Sequence, residues 1–248
     1  MTVRAFAAIM GMPISVNVID ATADGSDVEA VFDYLKRIDM VFSPYKKDSE
    51  TGRINRGELS EREYSREMRA VIEWCERTKA ETHGYFDARY LGHFDPSGLV
   101  KGYAIHRSSE LLRARGFHDF FIEAGGDIQT SGHNVTGMKW RAGIRDPYDA
   151  SKLVNVAHLS GEGIATSGNY ERGRHIYDPV GKRLADNLAS VTVIAGSVFD
   201  ADRYATAAFA MGTSGLQFIG SVPGLEGQVV AERGRVLWTP GFLRYMEP

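Results

Sequence analysis

The chain of 248 residues has a single cysteine, Cys75, so no internal disulfide can brace it. Cys75 sits in a helical pattern, where a small buried apolar group is expected rather than a reactive thiol. No Cys/His cluster is present, which removes the usual ligands of zinc or an iron–sulfur cluster. No run approaches the roughly 20 apolar residues that span a bilayer, so no transmembrane segment is expected. Charge of one sign is nowhere concentrated: 29 basic and 32 acidic residues leave a net charge of −3. A basic stripe of the kind that binds nucleic acid is therefore missing, and no such partner is expected. The stretch from Met1 into Phe6–Ile9 lacks the basic region, apolar segment and small-residue cleavage site of an export signal. A cytoplasmic address follows for the chain as given. An exported or membrane-associated one follows if a leader has been removed.

What is present is ordinary for a globular protein, with 43% apolar and 25% charged residues. Val3–Ile9 and Ile14–Ile19 read as strands parted by Gly11-Met12-Pro13. From Asp27 to Phe42, apolar groups at Val28, Val31, Phe32, Leu35, Ile38 and Val41 keep helical spacing, with Ser26 or Asp27 as N-cap. Ser60 and Glu63 form a capping box for a helix from about Glu61 to Thr82, which Gly84 closes. A third helix runs from about Leu99 to Arg115 and ends at Gly116, followed by a buried strand, Asp119–Glu123, entering a Gly125-Gly126-Asp127 turn. Strands are expected at Trp140–Ile144, Val154–Leu159, Arg174–Tyr177 and Ser190–Ile194, a helix at Ala201–Met211, and a hairpin around Arg233-Gly234. Helices and strands are segregated more than alternated. That predicts an α+β fold of antiparallel sheets packed with helices, in one domain over residues 1–248.

Three stretches could carry chemistry. Asp202 and Thr206, four apart on a helix, stack on one face. A carboxylate and a hydroxyl are hard oxygen ligands suited to magnesium, which keeps its other positions for water and substrate phosphates. On spacing alone, however, a helix-start aspartate and a core-facing threonine are the commoner outcome. In Asp95-Pro96-Ser97-Gly98-Leu99-Val100-Lys101, a turn opens a helix and so offers free N–H groups to an anion. Lys101 sits in the first turn, where a lysine is unfavourable unless an anion is bound; a solvated lysine is the alternative. Neither this stretch nor Gly125-Gly126 matches the phosphate loop or the dinucleotide fingerprint. Finally, His175 lies between a polar Gly/Ser loop, Ile164–Tyr170, and an Asp-Pro turn, and an imidazole with a pKa near ~6.5 can take a proton from a hydroxyl. Tyr45, Tyr85 and Phe86 lie in turn-rich stretches where a flat heterocycle would stack.

Read in order, these segments resemble the ApbE family of FAD:protein FMN transferases. The resemblance runs through Met10-Gly11-Met12-Pro13, Ser43-Pro44-Tyr45 to Asn55, Gly84-Tyr85-Phe86-Asp87, and Asp95 to Tyr103. It continues through Gly125-Gly126-Asp127-Ile128, Ala165-Thr166-Ser167-Gly168, His175-Ile176-Tyr177-Asp178-Pro179 and Asp202–Ala207. His106 stands where an aspartate is common, the chain is shorter than many members, and the lipobox of exported relatives is missing.

The resemblance implies a T-fold-like arrangement of sheet and helices. It implies FAD as substrate, with Met10, Tyr45, Tyr85, Phe86 and Asp87 lining its site, Asp95 and Lys101 holding its polar parts, and Ile176 contributing from the later loop. Magnesium would be held by the backbone oxygen of Gly98 with Asp202 and Thr206, and His175 with Lys101 would serve catalysis. The implied reaction moves FMN to a Thr or Ser hydroxyl of an acceptor protein with release of AMP. Hydrolysis of FAD to FMN and AMP, or FAD binding without turnover, are the alternatives the residues leave open.

Overall fold

The computed structural model describes residues 2–90, 92–169, 176–185 and 188–247. Strands β1 (Val3–Ile9) and β2 (Met12–Val18) pair through a two-residue turn in which Met10 and Gly11 have φ of 56° and 72°. Two left-handed residues in succession are what a tight hairpin needs to match strand twist. Met12 and Pro13, expected in the break, already pair with Ile9 and Ala8. Helix α1 (Gly25–Phe42) is capped by Asp24, ahead of the expected Ser26 or Asp27, and Asp27 returns the bond in a capping box. A short α2 (Glu50–Asn55) was not foreseen. The Ser60–Glu63 box forms, but on an isolated 3-10 turn, and α3 (Arg66–Glu81) starts afresh behind Ser65.

A small hairpin of β3 (Arg89–Tyr90) and β4 (His93–Phe94) leads into α4 (Ser97–Ala114). Next come β5 (Phe120–Ala124), β6 (Asp127–Ser131), β7 (Trp140–Arg145), β8 (Leu153–Leu159) and β9 (Gly163–Gly168). The pair β10 (Tyr177–Asp178) and β11 (Arg183–Leu184) precedes β12 (Leu188–Ala195). Of the strand expected over Arg174–Tyr177, residues 174 and 175 lie outside the described residues. Helices α5 (Val198–Met211) and α6 (Gly215–Ser221) and the hairpin β13 (Glu226–Ala231) with β14 (Val236–Trp238) complete the chain.

One eight-stranded sheet, ordered β1-β2-β5-β6-β9-β12-β13-β14, is antiparallel at every pairing. Its arrangement with the helices is the α+β architecture that segregated elements predict. Helices α1, α3 and α4 bury their apolar faces against β1, β2 and β5, and α5 does so against β9, β12 and β13. The β7–β8 hairpin packs on the sheet through Ala142, Ile144, Ala157 and Leu159 against Ile164 and Ile194. Strand β9 corrects the reading of Ile164–Tyr170 as a loop: Gly163 to Gly168 pair with β12 in the middle of the sheet. No helix among the described residues is long and apolar enough to cross a membrane.

Helix α5 is buried nearly all round, and Ala201, Ala205, Ala207, Ala208 and Ala210 let neighbours approach it closely. Arg203, buried on α5 next to Asp202, pairs with Glu81 of α3 and with Asp200, and so ties α5 to α3. Burial raises the Glu81 carboxyl, but donors on Arg203, Arg77 and Tyr204 outweigh it and hold Glu81 at about 2. A carboxylate held low in the folded state contributes stability above the ordinary range near ~4.3 and loses it as pH falls through the folded value. Melting temperature should therefore fall on acidification from pH 5 towards 2.5, and less steeply for Glu81→Gln than for wild type. Parallel curves would rule this pair out as an acid-sensitive tie.

Candidate active site

A cleft of about 610 Å³ opens where the β1–β2 turn, the loop after α1, the start of α4, the end of β9, the β10–β11 hairpin and α5 converge. Met10, Tyr45, Tyr85, Phe86, Asp87, Asp95, Gly98, Lys101, Ile176, Asp202 and Thr206 all line it. The sequence expectation for His175 falls outside the described residues; Ile176 and Tyr177, which follow it, line the cleft.

The floor is built where α4 crosses α5. Asp95 accepts from Ser97 N–H at 2.9 Å and shapes the turn into α4. Gly102 lies so close to α5 that a Cβ there would stand 2.7 Å from Asp202 Cβ and 2.8 Å from Val198 O. With no side chain in the way, its N–H donates to Asp202 Oδ2 at 2.7 Å. That amide is the one a regular helix aims at Gly98 O, four residues earlier. Gly98 O also faces the Thr206 hydroxyl, which donates to it at 3.3 Å, and Ser167 Oγ lies 3.4 Å from the same hydroxyl. Three oxygens are thus directed to one corner of the cleft: Gly98 O, Thr206 Oγ1 and the carboxylate of Asp202, itself only 3% exposed. Among the described residues no three His, Cys, Asp or Glu side chains gather as a metal cluster. The donor set is hard oxygen with one carboxylate, which fits a small hard cation that completes its shell with water or phosphate.

Beside these oxygens, Lys101 Nζ stands 2.8 Å from Asp127 Oδ2 and 3.6 Å from Asp202 Oδ1. Asp127 is the first residue of β6, just after a turn in which Gly125 and Gly126 both have positive φ. Its Oδ1 accepts from Thr166 N–H at 3.1 Å. Full burial holds the Asp127 carboxyl above the usual carboxylate range; the Lys101 ammonium opposes this and the Asp202 charge adds to it. The free N–H groups expected at the start of α4 are largely taken, Ser97 N–H by Asp95 Oδ1 and those of Leu99 and Val100 by Pro96 O, so Lys101 and the helix dipole are what an anion would meet here.

The upper walls are aromatic. Tyr45 is 94% exposed. Its loop is nonetheless pinned: buried Ser49 Oγ lies 2.6 Å from Ser43 O and 2.8 Å from Lys46 O and accepts from Gly52 N–H. Lys46 also pairs with Asp39 at 2.6 Å. Tyr45 lines the cleft with its ring exposed, a face on which a flat ligand can stack. Phe86 differs from the expectation of an open stacking surface. It is buried, with its ring edge against Gly98. Asp87 pairs with Lys79 at 2.7 Å and accepts from Arg89 N–H, so it shapes the β3–β4 hairpin as well as the wall. Across the mouth, Tyr90 and Tyr177 stack with centroids 4.6 Å apart.

Sequence over residues 10–92 and 91–228 matches the ApbE family. The chain belongs to that family. Relatives include the FAD:protein FMN transferase of Salmonella typhimurium, 31% identical over 166 residues that make up 63% of this chain and 46% of that one. The enzyme of the same name from Escherichia coli K12 is 30% identical over 152 residues, 57% of this chain and 43% of the other. The match thus spans less than half the length of either relative. Among solved structures, the flavin transferase ApbE from Vibrio cholerae superposes with a TM-score of 0.85 at 21% identity, covering 99% of both chains. An ApbE protein from Thermotoga maritima gives 0.89 at 22% identity over the full length of both. At these identities the likeness establishes the fold.

The ApbE-matched segments include every cleft residue named above. Reasoning from sequence did not assign roles to Asp127, Ser167, Tyr90 or Tyr177. For Asp127 a signal existed: an acidic residue that opens a buried strand behind a Gly-Gly turn needs a cationic partner. The Tyr90–Tyr177 stack and the Ser167–Thr206 contact join distant segments, and nothing local announces them.

Proposed function

We propose that the chain is a magnesium-dependent FAD:protein FMN transferase, which moves the FMN part of FAD to a threonine or serine hydroxyl of an acceptor protein and releases AMP. The observation that carries this reading is the convergence of Gly98 O, Thr206 Oγ1, Asp202 and Lys101 at the closed end of a cleft whose open end is aromatic. The names of the relatives support it. Magnesium, when held by Gly98 O, Asp202 and Thr206, supplies charge neutralisation on the pyrophosphate oxygens.

The chain's own residues do the rest. Lys101 and the N-terminal dipole of α4 form a fixed, preorganised field for phosphate oxygens. Tyr45, Tyr85 and Met10 offer faces for the flavin, and the cleft holds it so that the FMN-side phosphorus lies near Lys101. The acceptor hydroxyl oxygen bonds to that phosphorus, the bond to the AMP oxygen breaks, and the hydroxyl proton passes to His175. A loose transition state asks little of this base, so His175 serves chiefly to orient the hydroxyl.

Incubation with FAD, magnesium and a threonine-bearing acceptor, followed by intact mass measurement, tests the reading. The expected result is an acceptor heavier by one FMN, dependent on the metal. FAD bound without any mass gain on several acceptors would overturn transfer. Metal-dependent release of AMP and FMN without acceptor would instead identify a hydrolase.

A further inference from the structure

Asp127 belongs to a motif that the proposed chemistry leaves without a task, yet it is a fully buried carboxylate beside the site. It does not line the cleft, whereas Lys101 and Asp202 do. Both its oxygens are turned inward: Oδ1 to Thr166 N–H at 3.1 Å, Oδ2 to the Lys101 ammonium at 2.8 Å, with no other donor to Oδ2 among the described residues. Lys101 meanwhile stands 3.6 Å from Asp202 Oδ1, within reach of the one carboxylate that a cation would need. An ammonium and a divalent cation compete for such an oxygen. At contact distance their repulsion is large in a site shielded from water.

We infer that Asp127 is a positioning residue that holds Lys101 off Asp202, so that the lysine and a divalent cation occupy the cleft together. The inference rests on the proposed cation site of Gly98, Asp202 and Thr206. Lys101 is a long flexible chain whose ammonium settles where carboxylate charge is greatest. With Asp127 ionised, that charge is behind the cleft wall, and the ammonium stays at the long distance of 3.6 Å from Asp202 Oδ1, against 2.8 Å from Asp127 Oδ2. With Asp127 neutralised, the ammonium moves the short remaining distance to Asp202 and plugs the cation position from within. The Gly125-Gly126 turn joins β5 to β6 and sets Asp127 opposite Ala124, which holds the first residue of β6 in the sheet. Thr166 N–H then fixes the carboxylate plane. On this reading the motif tunes the affinity of a site that it does not touch, as partners behind metal ligands commonly do by about 10- to 100-fold.

The test is a manganese(II) titration in the presence of FAD, read by loss of the free-ion electron paramagnetic resonance signal. Four proteins are compared: wild type, D127N, K101M and D127N/K101M. D127N is expected to bind the ion about 10-fold or more weakly than wild type. The double variant is expected to bind it as K101M does, because removing the ammonium removes the plug. A double variant as weak as D127N would overturn the inference, since Asp127 would then act on the ion itself. So would D127N binding like wild type. If D127N does not fold, the double variant against K101M decides: equal affinity supports the holding role, and a weaker double variant overturns it. Failure of wild type to bind manganese at all would instead sink the cation site on which the inference stands.

Discussion

Asp202→Ala is expected to lower cation-dependent turnover of FAD by on the order of 10²–10³-fold, the scale seen when a fixed charge-stabilising group is removed from an active site. The carboxylate is lost from the oxygen set. Gly102 N–H loses its acceptor on α5, Asp202 Oδ2 at 2.7 Å, and keeps within reach the carbonyl that a regular helix gives it. The Thr206–Gly98 contact still joins the two helices, and Lys101 keeps Asp127 as a partner, so the fold is spared. A melting temperature close to wild type, with turnover lost at every magnesium concentration, is the expected pair of results. A variant that unfolds while the wild type proves indifferent to metal would show that Asp202 is a structural brace between two helices.

Much of this architecture is written in local patterns, and the parts that are not share a physical cause. Helices α1 and α4 and the terminal hairpin follow from periodicity and turn chemistry. Each has one wet face and one dry face, so the pattern of apolar residues reports the element. Strand β9 has no wet face of that kind. Gly163-Ile164-Ala165-Thr166-Ser167-Gly168 lies between β6 and β12, under α5, and carries small residues because α5 passes so near: a Cβ on Gly163 would fall 1.9 Å from Val198 N. Small polar residues then imitate a loop. Helix α2 is short, and its cap, Ser49, is spent as much on the Tyr45 loop as on the helix. In the candidate site, the oxygen donors and Lys101 were named from motif order, whereas the distances among them depend on the α4–α5 crossing. Asp127 and Ser167 show the limit: each meets its partner across the packed interior, from another segment.

That crossing makes Gly102→Ala the more damaging of the two glycine changes at the floor. Its new methyl would sit 2.7 Å from Asp202 Cβ, 2.8 Å from Val198 O and 3.1 Å from Asp202 Oδ2. The first two neighbours belong to the α5 backbone or its root and cannot swing aside, so the helices must part. Overpacking of this kind costs about 1–3 kcal/mol. For a chain of this size that lowers the melting temperature by several degrees, at roughly 2–4 °C per kcal/mol. The site suffers more than the fold. A magnesium ion, if held by Gly98 O, Thr206 and Asp202 as proposed, would need these oxygens kept close together. Gly98 O and Thr206 Oγ1 are 3.3 Å apart across the helix pair, and separation of α4 from α5 widens that gap. A misplacement near 1 Å can cost about 10²-fold in rate. Gly98→Ala is the control: its methyl would meet Thr206 Cγ2 at 3.2 Å, a side-chain atom that can give by a few tenths of an ångström. Melting curves and magnesium-titrated turnover should rank wild type above Gly98→Ala and both well above Gly102→Ala. Equal behaviour of the two variants would mean that the close approach of α4 to α5 does not set the geometry of the oxygen donors.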